Sequence, residues 1–378
     1  MSTLLNRIKP RIDSLRLKLY FLLAIKWSKS SRKKRILIVK NDSIGDYIIF
    51  RNFLNEIKNS KKFRDYELYL LTTLKLKNIA GELDGDVLKE ILLYDRKELI
   101  NVENQLRFYD SIRSYKFEYL VYPTYSPDSW TQHLIKYLAA KYKIGFNGDL
   151  SNQTERDKVY FERYYTHLVS IGKKFSHEFE KNIDFFTDLL EQDVVISKPE
   201  LVIESKKLNK ILICPGAQHE FRIWSLANFA KLITALHEKF PDASFEVATG
   251  PGEENLFTGI AGATKVPLSN FKIDSIAKLA KLMSAVRLIV CNDSSAAHIA
   301  VAVNSRSVCI SNGNHFRRFI PYPEKMSVAQ KVVLPKSLIE VLENNEAGDK
   351  YYFGSTLNIN EITVEDVFRE SASYLNEI

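Results

Sequence analysis

Short apolar runs alternate along the chain with segments in which apolar residues recur every three or four positions. The runs are rich in β-branched and aromatic residues and are typical of buried strands, whereas the spacing between them is typical of helices with one buried face. The clearest runs are 35–40, 66–72, 90–94, 118–122, 210–214, 244–249, 287–291 and 306–310. Strand and helix in alternation predict an α/β protein whose parallel sheets are covered by helices on both faces.

Two sets of such runs, separated by a change in composition, predict two domains. A chain of 378 residues also exceeds the roughly 250–300 residues beyond which one hydrophobic core usually divides. The stretch 196–210, ISKPELVIESKKLNK, is charged and carries a proline before the next strand-like run, which is typical of a linker. We therefore expect one doubly wound domain over 35–200 and a second over 201–378. The last helix-like segment, 364–378, either belongs to the second domain or packs back on the first.

The first 34 residues differ from the rest of the chain in charge. They hold ten Lys or Arg and one acidic residue, so the remainder, with 44 basic and 45 acidic residues, is nearly neutral although the whole chain carries +8. A neutral body argues against a nucleic-acid-binding fold with a basic face. The apolar residues of this arm recur at helical spacing on one face, interrupted by Pro10: Leu5, Ile8, Ile12, Leu15, Leu19 and Leu22. Either this basic amphipathic arm, 1–34, binds an anionic membrane surface, or it packs on the protein itself.

Other sequence features indicate the compartment. No window reaches the ~18 apolar residues of a membrane span, and the N-terminus lacks the apolar core and cleavage site of a signal peptide. Each cysteine lies in or at the end of an apolar run, and none has the spacing of a metal site, so Cys214, Cys291 and Cys309 are predicted to be buried thiols. We expect a cytoplasmic protein, peripheral on the inner face of the cytoplasmic membrane if the arm binds there.

Ligands of open α/β sheets bind beyond the carboxyl ends of the strands, so the turns after the runs hold the candidate chemistry. The first turn, KNDSIGD over 40–46, has a single glycine, which excludes the dinucleotide fingerprint and the P-loop. Asp46 has two interpretations, an acid that caps the following helix or a general base. Lys40, Ser43 and Gly45 beside it are further candidates for contacts to phosphate or acceptor.

Two turns of the second half have features that suit a nucleotide. Pro215 and Gly216 predict a tight turn that exposes backbone N–H groups. Arg222 follows before a helix that should begin near Ser225, and its guanidinium suits a phosphate. Glu253 in TGPGEE, 249–254, could accept from two ribose hydroxyls, although an ordinary turn into a helix explains this stretch equally well.

The turn CNDSSAAHIA, 291–300, is the strongest candidate for a phosphate site. Ser294 and Ser295 are predicted to cap a helix whose first N–H groups would bind a diphosphate, with Asp293 in front of it and His298 one turn inside. The alternative for His298 is a hydrogen-bonded core histidine. A later loop adds three basic side chains, His315, Arg317 and Arg318, which are phosphate ligands or a solvated turn.

Together these turns resemble glycosyltransferase family 9, the ADP-heptose:lipopolysaccharide heptosyltransferase family. Four segments are similar to family motifs and occur in the family's order: ILIVKNDSIGD (36–46), ILICPGAQHEFRIWSLANFAKL (211–232), TGPGEE (249–254) and LIVCNDSSAAHIAVAV (288–303). The resemblance implies a GT-B fold, in which two Rossmann-like domains face an interdomain cleft. It also implies inverting transfer of a sugar from a nucleotide diphosphate, without a metal ion or other cofactor, and most plausibly from ADP-heptose.

The resemblance also implies roles for individual residues. Asp46 would be the general base that deprotonates the acceptor hydroxyl. Arg222 falls where the family usually has a lysine facing the diphosphate, and Glu253 would contact the ribose. The remaining donor-site residues would be Asp293, Ser294, Ser295 and His298.

The chain departs from the family pattern at three places. Ser295 replaces a typical glycine, which either keeps the diphosphate further from the backbone or adds a hydroxyl contact. YIIFRN (47–52) and YPTYSPDSW (122–130) replace typical segments in the half expected to bind acceptor. These departures argue against assuming one particular acceptor. The basic arm favours a lipid-linked glycan at an anionic membrane surface, such as the lipopolysaccharide core or a related surface polysaccharide. The alternatives are an epimerase-like nucleotide-sugar enzyme and a non-catalytic nucleotide-sugar-binding scaffold at the membrane.

Overall fold

A computed structural model describes residues 15–17, 19–20, 33–344 and 348–376. The strands are β1 (Lys33–Val39), β2 (Glu67–Thr72), β3 (Glu90–Leu93), β4 (Phe117–Tyr122), β5 (Tyr142–Phe146), β6 (His167–Val169), β7 (Leu208–Cys214), β8 (Ser244–Thr249), β9 (Leu268–Lys272), β10 (Val286–Asn292), β11 (Ser307–Ile310) and β12 (Gln330–Val333). The α-helices are α1 (Ile44–Phe50), α2 (Asn52–Asn59), α3 (Leu74–Asp84), α4 (Val102–Ser114), α5 (Ser129–Tyr137), α6 (Glu155–Glu162), α7 (Glu178–Leu190), α8 (Leu226–Lys239), α9 (Glu254–Gly262), α10 (Ile276–Ala285), α11 (Ser295–Ala302), α12 (Lys336–Glu343) and α13 (Val364–Asn376). Short 3-10 helices cover Glu98–Ile100, Glu220–Arg222, Glu324–Met326, Gly348–Phe353 and Ile359–Glu361.

The strands form two six-stranded sheets in which neighbouring strands are parallel. The first has the order β3-β2-β1-β4-β5-β6 and the second the order β12-β11-β10-β7-β8-β9. Each is the doubly wound order in which the chain reverses direction across the sheet between its first and fourth strands. These switch points lie between β1 and β4 and between β7 and β10.

All eight predicted runs are strands, and the four unpredicted strands are short or polar. β6, β9 and β12 lie at sheet edges, where one side of a strand faces solvent and a continuous apolar run is not required. β9, for example, reads LSNFK and has no fully buried residue. Three of the four missed strands are thus edge strands, whereas β5 lies between β4 and β6 and the predicted β3 is itself at an edge.

The chain divides into two compact units. The first comprises Met1–Asp42, Phe53–Gly172 and Asp184–Val194, and the second Ser43–Asn52, Lys173–Ile183 and Val195–Ile378. Two segments from the first half of the chain thus belong to the second unit. One of them carries α1, which packs against α11 and is tied to the main chain at Glu200, whose carbonyl accepts from Arg51 Nη1 at 2.8 Å.

The last helix, α13, packs on the second sheet. It contacts α8, β10, β11 and β12, and Val367 and Leu375 are buried in the same core as Trp224. Arg287 Nη2 on β10 also donates to the carbonyl of Leu375 at 2.6 Å. Of the two alternatives, the segment thus belongs to the second unit, in whose core its apolar face is buried.

Most of the predicted arm lies outside the described residues, but a short helical part of it contacts α4. Leu17 is buried at 6% exposure, and the hydroxyl of Tyr20 donates to Asp110 at 3.0 Å. Leu15 and Leu19, which belong to the predicted apolar face, are 67% and 58% exposed. The helix face that contacts the protein, with Leu17 and Tyr20, thus differs from the predicted apolar face, to which Leu15 and Leu19 belong.

Two further expectations concern the membrane and the thiols. Within the described part of the chain, no helix is both long and apolar enough to cross a membrane. The three cysteines are buried free thiols, as predicted. Burial raises the pKa of Cys214 and of Cys309 far above the ordinary thiol value, so these side chains have the properties of core residues.

Candidate active site

The candidate donor residues come together at the switch point of the second sheet. β7 and β10 are neighbours there. Asn292, the last residue of β10, makes hydrogen bonds to the segment that follows β7. Its Nδ2 donates to the carbonyl of Pro215 at 2.6 Å, and its Oδ1 accepts from the backbone N–H of Trp224 at 3.2 Å. Trp224 is fully buried, so it is a packing residue of the second unit.

Arg222, which is partly exposed, and Asp293, which is buried, form an ion pair at this point. Nη2 of Arg222 donates to Oδ1 of Asp293 at 2.7 Å and also to its backbone carbonyl. Ser311 donates its hydroxyl to Oδ2 at 2.8 Å, so protein donors occupy both carboxylate oxygens. Nε of Arg222 is buried and has no hydrogen-bond partner in the structure. Asp293 therefore orients Arg222, whose remaining donors lie outside the pair.

The N-terminus of α11 is open beside this pair. Ser294 occupies the N-cap position as predicted, but its side chain makes no capping hydrogen bond, and Ser295 is the first helical residue. Both are half-buried, whereas residues 296–302 are buried. The first N–H groups of a helix have no intrahelical acceptor and attract anions. The two hydroxyls and these N–H groups are thus available to a phosphate, while the rest of α11 is core.

Glu253 connects the turns after β7 and β8. Its Oε2 accepts from the backbone N–H of Gly250 at 2.7 Å. A Cβ built on Gly216 would lie 2.6 Å from both carboxylate oxygens, so the glycine is required for this close approach. Among the described residues Oε1 has no hydrogen-bond partner, which leaves one oxygen for a ligand hydroxyl.

Asp46 caps α1 and keeps one oxygen free. Its Oδ2 accepts from the backbone N–H of Ser43 at 3.1 Å and from the Ser43 hydroxyl at 2.6 Å, which completes a capping box with Ser43 as the N-cap. In the portion that the structure describes, Oδ1 has no hydrogen-bond partner. The capping interpretation is therefore correct for one oxygen, and the other is available for base chemistry.

His298 connects α11 with α1. A Cβ built on Gly45 would lie 2.7 Å from Cδ2 and 3.4 Å from Nε2 of the histidine. On its other side Nδ1 lies 2.8 Å from the hydroxyl of Tyr322. Burial lowers the pKa of His298 to about 4, against an opposing effect of Asp293, so the imidazole is neutral near pH 7. His298 is thus a hydrogen-bonded histidine, packed directly on the turn that carries Asp46.

The three basic residues of the later loop have separate surroundings. Arg318 is buried and its Nε donates to Oε2 of Glu178 at 3.1 Å, an oxygen that also accepts from Lys181 at 3.0 Å. Arg317 is exposed. His315 is half-buried, and burial together with Arg318 and Arg222 lowers its pKa. The positive charge of Arg318 is therefore paired with the carboxylate of Glu178.

Lys40 belongs to the first compact unit, unlike the other candidates. It is 4% exposed, and its Nζ lies 2.8 Å from Oδ2 of Asp42. The residues that the structure brings together are thus those around Arg222, Glu253, α11 and Asp46.

Sequence reasoning missed several residues of this site. Tyr322 contacts His298, Ser311 contacts Asp293, and Glu178 contacts Arg318. His177 lies beneath Tyr322, with ring centroids 4.5 Å apart. His177 and Glu178 come from the first half of the chain, and no local pattern links them to the motif at 288–303. Among the described residues, no cluster of three or more His, Cys, Asp or Glu side chains could hold a metal ion.

Comparison with known proteins shows the family of the chain. The family model for glycosyltransferase family 9 (heptosyltransferase) matches residues 106–334, more than half of the chain. Lipopolysaccharide heptosyltransferase 3 of Escherichia coli is 25% identical over an alignment of 235 residues, and the match covers 57% of this chain and 65% of that protein. This chain therefore spans just under two thirds of that relative's length.

Solved structures have the same fold. A glycosyl transferase of family 9 from Veillonella parvula has a TM-score of 0.71 at 15% identity, over 92% of this chain and 99% of that one. The E. coli heptosyltransferase WaaC, determined with ADP, has a TM-score of 0.65 at 14% identity, over 91% and 100%. The predicted fold class, α/β with two doubly wound Rossmann-like domains of the GT-B type, is confirmed.

Proposed function

The chain belongs to glycosyltransferase family 9, and on that premise we propose that it transfers a heptose from ADP-heptose to a hydroxyl of a lipid-linked glycan. The reaction inverts the anomeric configuration and requires no metal ion. The observation that carries the proposal is that Arg222, the open N-terminus of α11 and Asp46 lie around His298 in one compact unit.

The donor site proposed for the diphosphate uses fixed charges. The positive end of the helix dipole, the N–H groups of α11 and the hydroxyls of Ser294 and Ser295 face the phosphates. Arg222, oriented by Asp293, adds a permanent cation. These groups balance the charge of the leaving diphosphate, a role that a metal ion has in other enzymes. The E. coli heptosyltransferase WaaC was determined with ADP, which supports an ADP-linked donor.

Glu253 is proposed to bind the ribose. The Gly250 N–H orients its carboxylate through Oε2, which leaves Oε1 to accept from a ribose hydroxyl. Gly216 allows the phosphate-binding turn to lie against the same carboxylate. The nucleoside and the diphosphate would therefore be bound by adjacent turns after β7 and β8.

Asp46 is proposed as the general base. Its Oδ1 removes the proton of the acceptor hydroxyl as that oxygen attacks the anomeric carbon, and the bond from this carbon to the ADP oxygen breaks on the opposite side. The capping bonds from Ser43 to Oδ2 hold the carboxylate in place. One displacement with one base gives the inverted product.

The acceptor is proposed to be lipid-linked, either the lipopolysaccharide core or a related surface polysaccharide. The name of the E. coli relative, a lipopolysaccharide heptosyltransferase, supports this class of acceptor. The basic arm, with Leu15 and Leu19 exposed on its apolar face, supports a peripheral position on an anionic membrane. The protein would then act on its acceptor from the cytoplasmic side.

The test uses the purified chain with ADP-heptose and a lipid-linked oligosaccharide in anionic vesicles. Release of ADP, product mass and the anomeric configuration by NMR are measured with and without EDTA. We expect transfer with inversion that EDTA does not change. Asp46→Asn should reduce turnover by about a hundredfold or more while the affinity for ADP-heptose is retained.

Asp366→Asn is the control, because Asp366 is likewise a first-turn acid that accepts from a hydroxyl three residues earlier, on α13, although it also pairs with Arg369. Thr363 donates to its Oδ2 at 2.6 Å, and its backbone N–H donates to the Thr363 hydroxyl at 3.2 Å. This variant should keep full turnover. Near-normal transfer by Asp46→Asn would remove Asp46 from the mechanism, and absence of transfer by the wild type to either acceptor class would contradict the proposed function.

A further inference from the structure

The surroundings of His298 contain a hydroxyl to which no sequence motif pointed. Tyr322 lies in the second compact unit with His298, and each of the two side chains is 6% exposed. The tyrosine oxygen lies 2.8 Å from Nδ1 of the histidine. This is a short hydrogen bond between two buried side chains.

The other hydrogen-bond partners available to Tyr322 and His298 determine which of the two side chains donates. In the described chain the Tyr322 hydroxyl has no other hydrogen-bond partner, so its hydrogen must lie in the bond to Nδ1. Were Nδ1 protonated instead, the buried tyrosine O–H would have no acceptor, which is unfavourable. Burial also raises the pKa of Tyr322 well above its usual value, so the phenol keeps its proton. Nδ1 therefore accepts, and the hydrogen of the neutral imidazole is on Nε2.

A second histidine holds the ring of Tyr322. Nδ1 of His177 accepts from the backbone N–H of Phe179 at 3.1 Å, so its Nε2 carries hydrogen and donates to the carbonyl of Phe319 at 2.7 Å. With both nitrogens fixed, the His177 ring lies 4.5 Å from the Tyr322 ring, centroid to centroid. The orientation of the tyrosine, and through it that of His298, is thus determined by residues from both halves of the chain.

Nε2 of His298 lies toward Gly45, on the turn that carries Asp46. It lies 3.4 Å from the position of a Cβ on Gly45, the residue before Asp46, and it has no hydrogen-bond partner within the described residues. Apart from the larger effect of burial, the charge of Asp293 raises the pKa of the His298 ring and that of Arg222 lowers it, so both charged side chains lie near the ring. An unpartnered N–H donor beside the diphosphate-binding residues is suited to an anionic oxygen.

We propose that Tyr322 is a positioning residue, which donates to Nδ1 of His298 and so fixes the tautomer whose Nε2–H donates to an oxygen of the leaving diphosphate. The inference rests on the proposed glycosyl transfer. Negative charge grows on that oxygen as the bond to the sugar breaks, so the hydrogen bond strengthens in the transition state. Because the donor is a neutral imidazole, the interaction does not titrate near pH 7.

The first test is the tautomer of His298 in the wild-type protein. Long-range ¹H–¹⁵N NMR of histidine-labelled protein distinguishes Nε2–H from Nδ1–H, and His298→Ala assigns the signal. We expect Nε2–H, with Nδ1 shifted by an accepted hydrogen bond, and loss of that shift in Tyr322→Phe. The Nδ1–H tautomer in the wild type would overturn the proposal whether or not any variant folds.

The second test is a double-mutant cycle on turnover. Tyr322→Phe keeps the ring against His177 and should lower kcat about tenfold, with the KM for ADP-heptose changed less than about threefold. The terminal phosphate of free ADP carries the negative charge that develops on the leaving oxygen during transfer. The affinity for ADP should therefore weaken in parallel with kcat. His298→Ala should lower kcat about tenfold to a hundredfold, and Tyr322→Phe should have no further effect in that background. Additive losses would show that Tyr322 does not act through His298.

Tyr352→Phe is the matched control. Tyr352 is another buried tyrosine of the same unit, and its hydroxyl donates to the carbonyl of Ser176 at 2.9 Å. Its removal should lower stability without changing kcat or ADP affinity. If the wild type transfers no sugar, the proposed function fails, whereas the tautomer and the ADP affinities still test Tyr322 independently.

Discussion

Gly45→Ala tests the contact between α1 and α11 that places Asp46. The new Cβ would lie 2.7 Å from Cδ2 of His298, about 0.7 Å closer than an ordinary contact of about 3.4 Å. The ring cannot move away freely, because Tyr322 holds its opposite nitrogen at 2.8 Å. The added methyl group must therefore displace the first turn of α1, which carries Asp46.

Two opposing effects determine the magnitude. Replacing glycine by alanine within a helix usually stabilises by up to about 1 kcal/mol, whereas overpacking a buried contact costs about 1–3 kcal/mol. We expect a net loss of about 0–2 kcal/mol, which is a small change. The effect on turnover should be larger, since a displacement of about 1 Å at a reacting group can lower the rate by about a hundredfold.

The assay combines thermal unfolding with turnover for three variants. Gly81→Ala on α3 is the control, because its Cβ would meet its nearest atom, Ile91 Cδ1, at 3.8 Å; it should be neutral or stabilising, with normal turnover. His298→Ala removes the ring, so Gly45→Ala should no longer destabilise in that background. Wild-type turnover by Gly45→Ala, or an unchanged stability loss in the absence of the ring, would show that the contact between Gly45 and His298 does not position Asp46.

Three other predictions use the same contacts. Gly216→Ala should displace the Glu253 carboxylate, since the Cβ would lie 2.6 Å from it, and should weaken ADP binding about tenfold by calorimetry; Gly262→Ala, with no atom within 4 Å of its Cβ, should not. Arg222→Lys should keep most of the ADP affinity, because lysine retains the positive charge although it loses the two-pronged geometry of the guanidinium. Arg222→Met removes the charge and should lower the ADP affinity about tenfold or more. Equal ADP affinities of the wild type and Arg222→Met would exclude Arg222 from the phosphate site. Burial lowers the pKa of both His177 and His298 from 6.5 to about 4. As the pH falls, the unfolded chain therefore binds protons before the folded protein does. The free energy of unfolding should decrease from about pH 6.5 toward pH 4, by up to about 1.4 kcal/mol per pH unit for each histidine. His177→Gln should reduce that slope in urea unfolding between pH 7 and pH 5, and an unchanged slope would count against a neutral buried His177.

The sequence predicted the parts of this site that depend on local patterns. Strand centres are continuous apolar runs, so the turns after β1, β7, β8 and β10 could be located and their residues identified. Ser225 was expected near the start of a helix, and it is the N-cap of α8. Arg222 was predicted to bind a phosphate, which stays a prediction, whereas its pairing with Asp293 depends on β7 and β10 being parallel neighbours and has no sequence pattern.

Contacts between distant segments could not be predicted in the same way. His177 lies in a polar stretch without a motif, and its role depends on the Phe319 carbonyl and the Tyr322 ring. Ser294 was predicted to cap α11, and it occupies that position without a side-chain capping bond. A sequence pattern predicts a position in a helix, whereas the direction of a hydroxyl depends on the groups around it.

The position of α1 fixes the proposed base relative to the proposed donor residues. Asp46 follows the first strand of the chain, yet its helix belongs to the same compact unit as Arg222 and α11. Gly45 permits the close packing of α1 on His298, and Ser43 fixes the carboxylate through the capping box. The geometry of the proposed base relative to the proposed diphosphate site is therefore set by packing within one unit. Because catalysis by a base requires its oxygen to be held near the attacking hydroxyl while the leaving group departs, a glycine against a histidine is as important to this site as the carboxylate itself.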